Sequence, residues 1–386
     1  MPEKSSGRSP EDGERRILFL TLSEVDDRSF GGALRGNDIR RALSQAGQVD
    51  TLVIHGAPHF SLDASWNEQR VRRATFSHGG LSLRALAQRR RIEAWVADTL
   101  RATPYDVIVA RYLGLALLVP FKHWRRLVLD ADDIFKTPPV SASSSLSARV
   151  KFGLRNAVAA MLLRLPRHVW VVNPLDAARL RSRGVSQLPN AVSLPAPSPT
   201  SAAPVPGRIL MVGYLEHPPN AEGLEWFIGR ILPPLAARLP GVELHAVGKA
   251  PPHFAQRFSG PVAIRGFVDD LAGEYARAAL VIAPIRSGGG TQIKVLEALA
   301  HGRPLVSSRF AHAGFAEHLV QGEHLLTAGS DEEWLSACAG VLENSASSEA
   351  LAARGHQAVH RSYGTEHMAA VVRETIDELL GRAFKE

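Results

Sequence analysis

The chain has 386 residues, of which 45% are hydrophobic and 22% charged, a balance that predicts a globular protein with a sizeable core. Its single cysteine, Cys338, excludes an intrachain disulfide and a zinc site made of cysteines. The net charge of +7 favours anionic partners, and an aromatic content of 6% argues against a surface for stacking nucleic-acid bases.

The first half of the chain alternates short apolar runs with amphipathic stretches. Residues 1–14 are polar and of mixed charge, which predicts a disordered tail rather than a secretory signal and favours a cytoplasmic location. Strands are predicted at residues 16–22, 49–54, 106–110, 126–129 and 168–172, with helices at about 33–45, 81–101, 147–165 and 175–183. This alternation predicts a parallel sheet covered on both faces, in a domain of residues 15–193.

A change of composition separates the two halves. Residues 194–206 read LPAPSPTSAAPVP, with five prolines and no charge, which predicts a semi-rigid linker. Strands are then predicted at residues 208–212, 242–247, 262–265, 280–283, 304–307 and 325–327, with helices at about 220–238, 269–277, 291–300, 331–343, 348–363 and 365–384. The second domain is therefore residues 207–364, and two such domains would face each other across a cleft. The last helix, in residues 365–386, is predicted to cross back to the first domain.

The most informative segment is residues 283–304, APIRSGGGTQIKVLEALAHGRP. Gly288, Gly289 and Gly290 follow a predicted strand and allow close approach of a ligand, and Thr291 would cap the helix behind them, whose free N–H groups favour an anion. Lys294 and Glu297 are three residues apart on one face of that helix. They could form a local ion pair, or they could bind a diphosphate and two ribose hydroxyls.

This segment resembles the nucleotide-sugar signature of retaining glycosyltransferases of family 4, of the glycosyl transferases group 1 type. The branch it resembles reads P-x-R-x-G-G-G-T-x-x-K-x-L-E-A-L-A-x-G-R-P-x-V-S, and this chain matches it from Pro284 to Ser307. The resemblance implies the GT-B fold, a nucleotide-sugar donor that is UDP- or GDP-linked, and no obligatory metal or other cofactor. The acceptor would be a glycan, a lipid-linked glycan or a small molecule, with no role for nucleic acid.

The resemblance also assigns residues. Arg286, Lys294 and Glu297 would be catalytic. The donor would be bound by Gly31, Gly32, Gly213, His217, Gly248, Val268, Gly288, Gly289, Gly290 and Thr291. The acceptor-side candidates are Arg111, Asp130, Asp132 and Asp133, of which the aspartates could instead hold a metal or cap the next helix. Outside the motif, Asn220 is predicted as a helix N-cap.

The chain departs from the wider family in three places. Gly289 stands where the family has the first of two glutamates, with Glu297 as the second. Residues 214–229 contain no arginine or lysine, and Arg111 and Tyr112 occupy the place of a histidine. A non-catalytic subunit that binds nucleotide sugars and a sugar-nucleotide epimerase on the same fold are therefore the alternatives.

The predicted helix at residues 147–165 has two interpretations. Leu154, Val158, Met161, Leu162 and Leu165 share one side, with basic residues nearby. The simpler interpretation is an amphipathic helix that faces the core. The other is peripheral contact with an anionic membrane on its inner face. The helix at 81–101 offers the same choice.

Overall fold

The computed structural model describes residues 15–27, 31–77, 82–132, 146–172, 174–180, 184–192, 203–251, 254–288 and 292–383. The predicted tail, residues 193–202 of the linker region, and Asp133, Gly289, Gly290 and Thr291 lie outside these ranges. The chain divides into two compact units. The first unit comprises residues 1–131, 165–170 and 369–386, and the second comprises residues 132–164 and 171–368.

The first sheet has eight strands in the order β3-β4-β2-β1-β5-β6-β7-β8. The strands are β1 (Arg16–Thr21), β2 (Gln48–Gly56), β3 (Ser61–Leu62), β4 (Val71–Phe76), β5 (Val107–Arg111), β6 (Leu127–Asp130), β7 (His168–Val171) and β8 (Val185–Gln187). Strands β1, β2, β4, β5, β6 and β7 pair in parallel, and β3 is antiparallel to β4. The central strands are continuous apolar runs because helices cover both faces of a parallel sheet.

The helices of this half of the chain are α1 (Gly31–Ser44), α2 (Leu83–Ala102), α3 (Leu113–Ala116), α4 (Leu146–Leu162) and α5 (Pro174–Leu180). Helix α2 packs an apolar face into the core through Ile92, Trp95 and Val96. The core-facing interpretation of that helix is therefore confirmed.

The second sheet has six strands in the order β11-β10-β9-β12-β13-β14, and its pairings are parallel. The strands are β9 (Arg208–Val212), β10 (Glu243–Val247), β11 (Val262–Gly266), β12 (Leu280–Ala283), β13 (Leu305–Ser308) and β14 (Leu326–Ala328). The helices are α6 (Pro218–Arg230), α7 (Leu232–Arg238), α8 (Leu271–Arg277), α9 (Ile293–Ala300), α10 (Arg309–His312), α11 (Asp331–Glu343), α12 (Ser345–Tyr363) and α13 (Thr365–Ala383).

One long predicted helix, residues 220–238, is two helices that meet at Ile231. Pro233 and Pro234 follow the junction, and a proline inside a helix loses a hydrogen bond and clashes with the preceding turn. The N-cap prediction for Asn220 is wrong. His217 is the N-cap residue of α6, and Asn220 lies inside the helix, where its amide donates to the Tyr214 carbonyl oxygen at 2.8 Å.

Helix α4 does not bury its large apolar side chains. Leu154, Val158 and Met161 are exposed, and the buried positions on this helix are few. The core-facing interpretation of α4 is therefore wrong.

The last helix, α13, contributes to the first unit from Ala369 onward. The Thr375 hydroxyl accepts a hydrogen bond from the Trp170 indole at 3.0 Å, and Asp377 forms an ion pair with Arg15 at 2.5 Å. The side chains of Val372 and Ile376 are fully buried. These contacts join α13 to β7 and to the start of β1 within that unit.

Candidate functional site

The second sheet reverses its strand order at its centre. Strand β9 lies between β10 and β12, and the chain proceeds toward β11 on one side and toward β14 on the other. Ligands of open parallel sheets bind at the carboxyl ends of the strands that flank such a reversal. At this reversal those ends lead into Gly213 after β9 and into residues 284–288 after β12. The segment singled out from the sequence thus begins at the position that topology favours.

A cavity of about 480 Å³ lies at this reversal. Its lining comes from the first turns of α6 and from the segment after β12, and consists of Pro219, Glu222, Gly223, Glu225, Trp226, Arg286 and Ser287. The side chain of Arg286 is exposed and lies over the Trp226 ring, 5.0 Å from its centroid. Stacking on an aromatic face holds a guanidinium in place and leaves its N–H donors available at the ring edge.

Ser287 is the polar group of this lining that stands out. Its side chain is 4% exposed, and its hydroxyl makes no hydrogen bond to any part of the chain that the structure describes. A buried hydroxyl without a partner costs free energy, about 1–3 kcal/mol, so such groups call for an explanation. A ligand in the cavity would supply the missing partner.

Close backbone packing accounts for the glycines at the strand ends. Gly213 donates its N–H to the Val247 carbonyl oxygen at 2.9 Å, and Gly248 donates to Gly266 at 2.8 Å. Gly248 has a φ of +136°, and a Cβ at this position would overlap the Gly213 carbonyl. Gly248 therefore has a structural reason to be glycine, and the predicted contact of Gly213 and Gly248 with the donor stays a prediction.

The glycine segment enters helix α9 through Gly288, which has a φ of +120°. This left-handed conformation favours glycine over any residue with a side chain. Helix α9 begins at Ile293, with Gln292 as its N-cap residue and no side-chain hydrogen bond at the cap. The predicted cap Thr291 lies outside the described residues.

Lys294 and Glu297 each have a partner other than one another. The Lys294 ammonium donates to Oε1 of Gln292 at 2.9 Å, and the Tyr275 hydroxyl donates to Oε2 of Glu297 at 3.2 Å. Burial lowers the pKa of Lys294 to about 8, and burial raises the pKa of Glu297. Both groups are thus held where solvent stabilises their charges poorly, an arrangement found more often at functional sites than on surfaces.

Tyr275 and His301 form the layer beneath Glu297. Their rings are stacked at 4.4 Å between centroids with 12° between planes. Burial, with smaller contributions from Arg303 and His356, lowers the pKa of His301 to about 4, so this imidazole is neutral near pH 7. Burial and the neighbouring Glu297 carboxylate raise the pKa of Tyr275, which keeps its hydroxyl protonated as a donor. This layer fixes the orientation of the Glu297 carboxylate.

Two further predicted donor residues lie at loops of the same unit. His217 is exposed at the start of α6. Val268 follows β11, is partly buried and packs against the core of the second unit.

The first sheet also reverses its strand order, between β1 and β5. Gly31 and Gly32 follow β1 as the first residues of α1 and not as a free loop, which corrects the prediction of a helix starting at residue 33. Arg111 ends β5 and donates through Nη1 to the Gly32 carbonyl oxygen. Arg111 therefore joins the two elements that flank the reversal.

A buried cluster of three charged side chains supports this contact. Arg35 donates through Nε and Nη2 to the two oxygens of Asp130, at 3.2 and 2.5 Å, and Arg111 donates through Nε to Oδ2 at 3.0 Å. All three side chains are fully buried. Burial favours the neutral acid, but the two guanidinium groups outweigh it and lower the pKa of Asp130, which stays ionised.

These contacts give Arg111 and Asp130 a structural role at the start of α1, since both side chains are fully buried. Their predicted role on the acceptor side stays a prediction. Asp132 is partly exposed, and Asp133 lies outside the described residues. Tyr112, next to Arg111, has a φ of +66°, a strained conformation for a bulky residue.

Residues 206–344 match the protein family described as Glycosyl transferases group 1. The matched segment contains the strand reversal, the cavity and Glu297. No curated protein sequence matches the chain.

Solved structures resemble the whole chain. Sucrose-phosphate synthase from Thermosynechococcus elongatus is 15% identical, with a TM-score of 0.71 over 96% of this chain and 100% of that one. WaaG, a glycosyltransferase involved in lipopolysaccharide biosynthesis, is 14% identical, with a TM-score of 0.64 over 95% and 100%. Anabaena Alr3699/HepE, solved in complex with UDP and glucose, is 18% identical, with a TM-score of 0.64 over 96% and 100%. These similarities confirm the predicted α/β fold of the GT-B type, with two parallel-sheet domains.

Sequence reasoning missed four residues of the two sites: Arg35, Trp226, Tyr275 and Ser287. The sequence gave only a weak indication of a role for Arg35, namely that it is an arginine in the first turns of a helix that follows a strand. Ser287 stood next to the glycines, and only its burial without a partner distinguishes it. Tyr275 is 22 residues from Glu297 in sequence, and no local pattern connects them.

Among the residues that the structure describes, three or more His, Cys, Asp or Glu side chains do not come together in a way that could hold a metal. No described helix has both the length and the apolar composition needed to cross a bilayer.

Proposed function

We propose that this protein is a retaining glycosyltransferase that moves a sugar from a UDP- or GDP-linked donor to a glycan, a lipid-linked glycan or a small-molecule acceptor. The observation that carries the proposal is the Glu297 carboxylate, which lies on α9 and accepts a hydrogen bond from Tyr275. On the same helix, one turn earlier, lies Lys294, whose pKa is lowered. The family match of residues 206–344 and the solved complex of HepE with UDP and glucose support it.

The donor's diphosphate would interact with the cationic side of this site. Arg286 and Lys294 supply positive charge, and the N–H groups around Gly288 supply hydrogen bonds. These groups stabilise negative charge most strongly where water is excluded, so they favour departure of the nucleoside diphosphate. Lys294, whose charge is poorly solvated, gains from the arrival of an anion.

Glu297 would accept hydrogen bonds from the two ribose hydroxyls. The Tyr275 hydroxyl bonds to one carboxylate oxygen, Oε2, and Oε1 is available for the ribose. A carboxylate held in one orientation loses little entropy when it binds a diol. The backbone beside Val268 is proposed to hold the base.

In the proposed reaction, the bond between the anomeric carbon and the diphosphate oxygen breaks, and the acceptor oxygen forms its bond on the same face. The acceptor proton passes to the leaving phosphate oxygen, so atoms and charges balance without a protein base. No metal or other cofactor enters this scheme. What the chain contributes is positive charge, orientation of the donor and exclusion of water.

One observation favours a second candidate, a subunit that binds a nucleotide sugar without transferring it. Gly289 occupies the position of the first family glutamate, so one carboxylate toward the donor sugar is missing. A sugar-nucleotide epimerase on the same fold is the third candidate. All three share the nucleotide site and differ in the fate of the sugar.

Calorimetric titration with UDP, GDP, ADP and dTDP would identify the base. The matching nucleotide sugars would then be incubated with and without candidate acceptors, and products followed by proton NMR. A transferase gives a glycoside with the anomeric configuration of the donor, an epimerase converts the donor alone, and a binding subunit leaves it intact. Absence of binding to every nucleoside diphosphate would overturn all three.

A further inference from the structure

Helix α4 (Leu146–Leu162) has two unlike faces. Ala160 and Leu162 are partly buried, and a series of further positions is buried or partly buried: Phe152, Asn156, Ala159 and, just after the helix, Leu163. Their spacing of four, three and four residues places them along one side of a helix. This is the side that α4 presents to the protein.

The other face carries a continuous row of large apolar side chains. Their exposures range from 46% to 74%, and they are Leu146, Val150, Leu154, Val158 and Met161. At about 100° per residue, the row spans about 120° and is centred opposite the protein-facing side. An exposed apolar row of this length is rare on a monomeric surface and marks a contact with something else.

The charges around this row all have one sign. Lys151 and Arg155 flank it on one edge, Arg164 follows the end of the helix, and all three are exposed. Between Asp133 and Asp176 the sequence contains no acidic residue. An apolar row edged by basic side chains is the pattern of a helix that lies in the surface of an anionic bilayer.

The charges also distinguish the two simplest candidates for covering the row, a second copy of the chain and an anionic membrane. A second copy of the chain docked through the same face would bring Lys151 and Arg155 near their own counterparts, with no acidic residue on α4 to offset the repulsion. An anionic membrane offers both the apolar interior and the opposite charge. We propose that α4 docks this protein on the surface of an anionic lipid bilayer, with its axis parallel to the membrane plane.

Docking through α4 determines where the protein lies in the cell and leaves the chemistry of the nucleotide site unchanged. Its one consequence for the acceptor, that a docked enzyme meets lipid-linked glycans, rests on the proposed function. Vesicle binding is measured without nucleotide, and nucleotide binding without vesicles. The two proposals therefore fail separately.

The test is sedimentation of the full chain with vesicles of phosphatidylcholine alone, and with vesicles of equal parts phosphatidylcholine and phosphatidylglycerol. Leu154→Glu/Val158→Glu places charges in the row and should weaken binding to the anionic vesicles about tenfold or more. The matched control is Val205→Glu/Val320→Glu, because these valines are 45% and 46% exposed and lie elsewhere. The control should bind as the unchanged chain does.

The charge contribution is tested by Lys151→Gln/Arg155→Gln. Removal of two positive charges should weaken binding by about 25-fold, at about fivefold for each charge near an anionic surface. High salt should weaken the unchanged chain more than this variant. All four substituted side chains on α4 are exposed, and melting curves would verify that the variants fold.

Three outcomes would overturn the proposal. The first is that the chain sediments with neither kind of vesicle. The second is that it binds anionic vesicles equally well after Leu154→Glu/Val158→Glu. The third is a dimer in light scattering that this variant dissociates, which would assign the row to a second copy of the chain.

Discussion

The Tyr275 hydroxyl donates a hydrogen bond to Oε2 of Glu297 at 3.2 Å, across two elements of the second unit. Strand β12 separates α8, which carries Tyr275, from α9, which carries Glu297. The bond turns one carboxylate oxygen inward, so the other can meet a ligand. This relationship leads to the first prediction.

Glu297→Gln should weaken nucleotide binding while the fold persists. Loss of a charged hydrogen-bond acceptor costs about 1.5–3 kcal/mol, which corresponds to about 10- to 150-fold in affinity. Calorimetric titration with the nucleoside diphosphate, with melting curves alongside, measures both effects. The control is Glu274→Gln, since Glu274 is also buried but pairs with Arg208. That control should lower the melting temperature and leave affinity unchanged. The same result for Glu297→Gln would assign Glu297 a structural role.

Lys294 predicts a pH dependence of donor affinity. Its pKa is lowered to about 8, so the free protein loses this charge as pH rises above 8. A bound diphosphate favours the protonated form, so affinity should fall above pH 8, by up to about tenfold per pH unit. Titrations at pH 7, 8 and 9 would be compared with Lys294→Met, in which this dependence should be absent. The nucleoside without phosphate should show no such dependence with either protein; an equal slope for it would contradict the assignment.

The sequence predicted the fold well where apolar runs are continuous. The bounds of β9 and β12 agree with the structure because every residue of these strands is apolar apart from Arg208. Strand β4 (Val71–Phe76) was missed because Arg72 and Arg73 interrupt its pattern. The Arg72 guanidinium lies over the Trp95 ring at 4.7 Å and bonds to the Asp63 carbonyl, so tertiary contacts hold a charged residue in a strand.

The candidate site was predictable only where its residues are neighbours in sequence. Lys294 and Glu297 follow from the glycine segment and helical spacing. The pairing of Arg35 with Asp130, 95 residues apart, depends on which strands become neighbours in the sheet. The same cluster explains why residue 36 is glycine, because a Cβ there would lie 2.9 Å from Nη1 of Arg111. The apolar row of α4 could be predicted from the sequence pattern. Whether the row faces the core or the solvent is known only from the exposure of its side chains in the structure.

Ser287→Ala should separate ligand binding from stability. In the free protein the hydroxyl has no described partner, so its removal should leave the melting temperature unchanged or raise it. If a donor phosphate accepts its hydrogen bond, affinity for the nucleoside diphosphate should fall about tenfold or more. The matched control is Ser307→Ala, a buried hydroxyl that bonds to the Ser308 carbonyl at 3.2 Å. It should lose about 1 kcal/mol of stability and keep its affinity. A Ser287 variant that behaves like this control would contradict the assignment.

Asp130→Asn should be among the most destabilising changes in the first unit. It leaves the buried guanidinium groups of Arg35 and Arg111 without their carboxylate, and loss of one partner of a buried ion pair costs about 3–5 kcal/mol. The pKa of Asp130 is lowered in the folded protein, so the carboxylate stabilises the fold fully above its unfolded pKa of about 3.9 and loses that effect as pH falls through the lower folded value. Denaturant unfolding should therefore show a large difference between the two proteins at pH 7 that narrows below about pH 4. The control is Asp98→Asn, whose ion pair with Arg101 is at the surface and contributes less than about 1 kcal/mol. A difference for Asp130→Asn no larger than for this control would show that the buried cluster does not hold α1 against the sheet.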